Sequence, residues 1–181
     1  FVPVKNRSVI DKWIISKLNT LKKEYFELMD AYEVTKACRL IFDFTIDELS
    51  NWYIRRNRKR FRNPENEQDR NSAYQTVYEV LINIVQMMAP VSPFLSERLY
   101  QNLTKEDSSI HLSEFSKCAT NEIDEALEEQ MNIAQRIVYL TRAIRVKNNL
   151  KVRQPLRQIL IPVLNAHEKE DRKSTRLNSS P

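Results

Sequence analysis

The chain has 181 residues, 41% of them hydrophobic, with 29 Lys and Arg against 24 Asp and Glu and a formal net charge of +5. That apolar share is enough to bury a core, and no stretch approaches the roughly 18 consecutive apolar residues of a membrane-spanning helix. Glycine is absent, where average usage would give roughly 13. Phosphate-cradling loops and dinucleotide turns need glycine where backbone meets ligand, so a P-loop and a Rossmann fingerprint are both excluded.

The start, FVPVK, lacks the basic residues and apolar run of a secretory signal. Its first residue is Phe rather than Met, so the chain is read as a piece of a longer protein. Ser8 with Asp11 looks like a capping box in which Asp replaces Glu. Val9, Ile10, Trp13, Ile14, Leu18, Leu21, Tyr25 and Leu28 follow at helical spacing. A second apolar series, Val34, Ala37, Cys38, Ile41, Phe44, Leu49 and Trp52, carries the chain into "NWYIRRNRKRF". Asn63-Pro64-Glu65-Asn66 is the first clear break.

A third helix is expected over about Asn71–Met88, with Tyr74, Val77, Tyr78, Leu81, Ile84, Val85 and Met88 inward. "APVSPF" interrupts it. Pro90 lacks a donor, Pro93 suits a first helical turn, and a short helix should run from Pro93 to about Gln101. Thr104–Ser109 reads as a loop, and "SIHLSEF" (Ser109–Phe115) as an extended tether. A long helix should occupy about Ile123–Lys147, with Leu127, Met131, Ala134, Ile137, Val138, Leu140 and Ile144 inward. Pro155 blocks further helix, and Gln158–Val163 reads as a strand. The fold class is all-α: an antiparallel helical bundle with the start of a small β or α+β element at its C-terminal end.

Six of the eight residues Arg55–Arg62 are basic. With Trp52 at 0° and 100° per residue, Leu49, Tyr53, Ile46, Phe61 and Ile54 fall between about 60° and 200°. Arg55, Arg58, Lys59 and Arg62 fall between about 240° and 340°, opposite that apolar arc. Arg56 and Arg60 sit at the core edge and Asn57 within it, where a polar group needs buried partners. The four outward cations are candidate phosphate contacts, because like charges within two turns repel and a nucleic-acid backbone offsets that repulsion. The plainer alternative is a solvated helix face. Trp13, Trp52 and Tyr53 are read as core rather than as base-stacking platforms. Lys147, Lys151 and Arg153 form a second basic group, open between nucleic-acid contact and a favourable helix C-terminus. Cys38, Cys118, His111 and His167 are isolated in sequence and read as structural, so no metal site and no catalytic residue is assigned.

At these residues the chain resembles a known family. "NWYIRRNRKRF" is similar to a signature in the anticodon-binding helical domain of isoleucyl-tRNA synthetases. "IDKWIISKLNTL", "MAPVSPFLSERLYQNL", "SIHLSEF" and "KVRQPL" agree with that family in order, over about Lys5–Val163. Arg62 departs from it, standing where the family usually carries Trp. The resemblance implies a class I synthetase, in which a bundle of this type over residues 1–150 grips isoleucine tRNA. It implies ATP, with magnesium, in the parent enzyme and no cofactor in this stretch, together with a cytoplasmic, monomeric parent. Residues 151–170 would begin a junction into a further region. A valyl or leucyl relative shares the bundle, and a stand-alone basic module for acidic protein partners is the alternative from another class.

Residues 171–180, "DRKSTRLNSS", match one reading frame of a common sequencing-library adapter, so 171–181 is read as an assembly artefact. It holds Arg172, Lys173 and Arg176 against Asp171, two of the five formal positive charges.

Overall fold

The computed structural model describes residues 1–64, 66–105 and 108–160. Six α-helices carry the described chain: α1 Val9–Asp30, α2 Val34–Asp43, α3 Arg58–Arg62, α4 Glu67–Met88, α5 Pro93–Thr104 and α6 Glu125–Lys147. There is no strand among the described residues. The strand read at Gln158–Val163 is corrected for Gln158–Leu160, which have no regular structure, while Ile161–Val163 lie outside the described residues. The 171–181 tail lies outside them too. The chain divides into two compact units, Phe1–Asp124 and the part from Glu125 onward.

In the first unit α1 is the central helix. Ser8 caps it, its side chain accepting from the Asp11 backbone N–H at 3.4 Å. Trp13, Ile14, Ile15, Leu18, Leu21 and Tyr25 are buried along it, and α2 and α4 both pack against it. Its buried residues form a broad face, and Lys23, Glu24 and Glu27 occupy the exposed side. The polar residues it does bury have defined tasks. Asn19 accepts from the Ala119 N–H at 2.9 Å, Ser16 from the Asp124 N–H at 2.8 Å, and Lys22 donates to the Lys117 carbonyl at 2.7 Å. On α4, Gln86 donates to the Glu114 carbonyl at 3.0 Å. These bonds tie the backbone of the irregular stretch between α5 and α6 to the helices. The "SIHLSEF" tether is extended on both sides of a 3₁₀ turn at Ile110–Leu112. Glu97 of α5 pins that turn by accepting from Ser109 Oγ and the Ile110 N–H, at 3.0 and 2.9 Å.

The prolines between α4 and α5 act as expected. α4 stops at Met88, the Ser92 N–H returns to the Met88 carbonyl at 2.8 Å, and Pro93 opens α5. α5 continues to Thr104, where Lys105 turns left-handed at φ 61°.

Two expectations are overturned. First, α2 does not run on as an α-helix. Phe44–Ile54 is a π-helix, with the wider i→i+5 bonding. Ala37, Ile41, Phe44, Leu49 and Tyr53 are buried, and the five-residue step from Phe44 to Leu49 absorbs the extra residue of the wider turn. Ile46, placed inward by a 100° wheel, is 53% exposed as a result. Second, the inward face of α4 is only partly the expected one. Ile84 and Val85 are buried as read, but Ser72, Ala73, Thr76, Val80, Asn83 and Met87 are buried too, while Tyr74 and Tyr78 are exposed by 53% and 47%. Polar side chains occupy core positions in the first half of the helix, and there apolar periodicity picks the wrong face.

The second unit begins with α6. Leu127, Met131, Ala134, Ile137 and Val138 are half-buried. Leu140 and Ile144, expected inward, are exposed.

Candidate nucleic-acid interface

The basic run starts where the π-helix ends. Arg55 and Arg56 complete its last turn, the chain turns at Asn57, and α3 carries the rest. Asn57 is buried at 3% exposure and donates to the Tyr53 carbonyl at 2.9 Å. A short side chain that bonds its own preceding turn suits a break between two helical segments.

Arg60 is held by two carboxylates. Its Nη1 and Nη2 donate to Asp11 Oδ1 and Oδ2, both at 2.8 Å, in a fork-to-fork pair. Its Nε donates to both oxygens of Asp69 at 2.9 and 3.0 Å, and Nη1 also reaches Asn57 Oδ1 at 3.1 Å. Asp11 is fully buried, with Ser72 Oγ at 2.9 Å and the Tyr53 hydroxyl as further donors. Burial alone would raise the Asp11 carboxyl pKa, but the hydrogen bonds from Arg60 and Tyr53 and the Arg60 charge hold it below the usual carboxylate range. Burial and the neighbouring Asp11 charge push the Tyr53 phenol well up, so it stays a donor. For Arg60, burial opposes the charge and the two carboxylates outweigh it, leaving the guanidinium more firmly protonated than usual. One knot thus ties α1, the π-helix, α3 and α4 together.

Around this anchor Arg55, Arg58, Lys59 and Arg62 are all exposed. Among the described residues, no carboxylate pairs with Arg55, Arg58 or Arg62. The wheel puts Arg56 at the core edge; it is exposed instead, its guanidinium 4.8 Å from the Trp52 ring centroid. Trp52 and Arg56 are four residues apart, one helical turn, which sets the guanidinium over the ring. Trp13 and Tyr53 are fully buried and Trp52 half-buried beneath Arg56.

In the second unit Lys147, Lys151 and Arg153 are exposed around the end of α6. Arg145 organises that turn. Its Nη1 donates to the carbonyls of Lys151, Val152 and Gln154 at 2.9, 3.3 and 2.9 Å, and Asn149 takes the left-handed conformation at φ 53°.

The residues that sequence reasoning misses are the carboxylates. Asp11 reads as a capping residue, yet its side chain is the centre of the knot. A signal for this exists: Asp11 stands three residues before Ile14 and four before Ile15, on a buried face. Arg7 is missed as well. Its side chain is fully buried, and it donates to the Val2 carbonyl, Thr76 Oγ1 and Glu79 Oε2, each at 3.0 Å. Cys38 and Cys118 are both free thiols, half-buried. Among the described residues no group of His, Cys, Asp and Glu could hold a metal ion.

Comparison with known proteins identifies a family. A family profile described as the anticodon-binding domain of tRNA ligase matches residues 11–160. An isoleucine–tRNA ligase of Bacteroides thetaiotaomicron is 50% identical over 173 residues, covering 93% of this chain and 15% of the relative. Those of Porphyromonas gingivalis and Cytophaga hutchinsonii are 44% and 43% identical, again over 93% of this chain. The chain therefore spans about 15% of the length of such relatives.

Proposed function

We propose that this chain, which belongs to the family of anticodon-binding domains of tRNA ligases, is the tRNA-gripping part of an isoleucine–tRNA ligase. The observation that supports this most is the basic strip. Arg55, Arg58 and Arg62 are exposed without acidic partners among the described residues, and Lys59 is exposed beside them. The Arg60 knot fixes the backbone that carries them. A row of cations on a rigid backbone suits a phosphate chain: each phosphate held releases condensed counterions, and no base needs to be read. Lys147, Lys151 and Arg153 present a second set of cations with the same chemistry.

The partner in this reading is isoleucine tRNA, and the parent is a cytoplasmic, monomeric enzyme. ATP and magnesium serve the parent's chemistry. In this reading other regions of the parent hold them, and no catalytic step falls to this chain. Positioning is its task.

The test is a salt titration of tRNA binding. Arg58→Glu should weaken binding to isoleucine tRNA and to unrelated tRNAs alike. It should also flatten the slope of log affinity against log salt, by roughly one unit for each phosphate no longer neutralised. Its melting temperature should hardly move, because the side chain faces solvent. Unchanged affinity and slope would leave Arg58 a solvated residue only.

A further inference from the structure

The turn between α1 and α2 holds a residue that the local backbone does not favour. α1 ends in a Schellman cap: the Glu33 N–H returns to the Leu28 carbonyl at 2.8 Å and the Tyr32 N–H to the Met29 carbonyl at 3.0 Å. The cap puts Tyr32 in the left-handed region at φ 59°, where glycine or asparagine is usual and a bulky side chain costs energy. Its ring recovers little of that cost by packing, because Tyr32 is 91% exposed. A groove starts beside this turn. A cavity of about 460 Å³ opens between α1 and α2, and its nearest lining residues, Leu28 and Lys36, stand four positions from Tyr32 on either side. It shares Glu24 and Leu40 with a second cavity of about 180 Å³, which extends along the π-helix to Asp47 and Glu48.

We infer that this groove, with Tyr32 at its end, is a docking site for an amphipathic helix of a partner protein that carries Lys or Arg beside its apolar side chains. Leu21, Leu28, Leu40 and Phe44 supply an apolar floor between two helical walls, the setting in which a third helix seats its side chains. The rim selects the charge of the occupant. Five carboxylates line the two cavities against three cations, Lys17, Lys36 and Arg39, on a chain whose formal net charge is +5. Lys36 is already paired with Glu33 at 3.0 Å. Glu24, Glu27, Asp43 and Asp47 are exposed and form no ion pair among the described residues. An acidic rim attracts a basic helix and repels RNA phosphates and anionic lipid, so this site is independent of the tRNA reading. A tyrosine kept exposed against its backbone preference suits an interface anchor.

The experiment uses the whole chain and two fluorescein-labelled peptides, one of leucine and lysine in amphipathic helical register and one with every lysine replaced by glutamate. Fluorescence anisotropy should show the lysine peptide binding and the glutamate peptide failing to bind. Asp43→Lys with Asp47→Lys should weaken binding on the order of tenfold. Glu125→Lys with Glu129→Lys, which changes net charge equally on α6, should leave it as in wild type. Tyr32→Gly should melt no lower than wild type, since glycine suits the cap, and should still bind the peptide on the order of tenfold more weakly. Equal binding of both peptides, an equal loss in the α6 pair, or wild-type binding by both groove variants overturns the proposal. So does a lack of binding by the wild-type chain. A wild-type dimer in sedimentation that the groove substitutions return to monomer would give the groove to a second copy and overturn it as well.

Discussion

Arg60 has basic neighbours on both sides and still belongs to the core. Its side chain is 16% exposed and Asp11 beneath it is not exposed at all, so the pair has lost most of its hydration. Such a pair adds little over an apolar one of the same shape, but removing one partner strands the other. Arg60→Met should therefore cost about 3–5 kcal/mol of unfolding free energy, although it removes only one of many cations. Asp11 also sets the acid limb. Its carboxyl is held below the usual range in the folded state, so its stabilisation is complete above the unfolded value near 3.8. That stabilisation is lost as pH falls through the lower folded value. Urea unfolding of wild type and Asp11→Asn from neutral pH down to about pH 3 should show a shallower acid slope in the variant, by up to about 1.4 kcal/mol per pH unit. Equal slopes would mean that the Asp11 proton is not linked to folding. Asn57 and Arg60 are legible as polar residues near the core because a helical wheel needs only local spacing. Their partners are not, because Asp11 lies 49 residues from Arg60 and no periodicity in one segment reports on another.

At the scale of elements, the helices and their breaks can be read from caps, prolines and apolar spacing, but two faces cannot. α4 turns Ser72, Thr76 and Asn83 inward because Ser72 serves Asp11 and Thr76 serves Arg7. A search for apolar periodicity discards polar residues, so it rotates the helix onto its tyrosines. The π-helix is the other case. The wheel assumes a constant turn, and the wider turns of the π-helix take Ile46 out of the arc it assigns. Substitution can check the phase directly. Phe44 is 5% exposed and Ile46 is 53% exposed. Phe44→Ala should cost about 3–5 kcal/mol in urea unfolding, and Ile46→Ala should stay within about 0.5 kcal/mol of wild type. The reverse order would restore a continuous α-helix through Ile46.

For the whole molecule, composition and architecture point the same way. A chain without glycine lacks the glycine-rich loops that cradle nucleotide phosphates. It can build helices, and the described part is helices joined by short turns and one pinned loop. None of these helices is long and apolar enough to cross a membrane. The family is legible because its signature is local: "NWYIRRNRKRF" and the segments around it keep their order along the chain. Charge alone is a weak guide, because two of the five formal positive charges come from the 171–181 tail and the anchored Arg60 is engaged internally. In the reading proposed above, this chain holds RNA and amino-acid activation falls to other parts of the parent. Isoleucine-dependent exchange of pyrophosphate into ATP by the purified chain should therefore stay at background, under conditions where the same preparation binds tRNA with a measurable salt slope. Exchange above background that copurifies with the chain through successive columns would place nucleotide chemistry within these residues and undo the division of labour proposed for them.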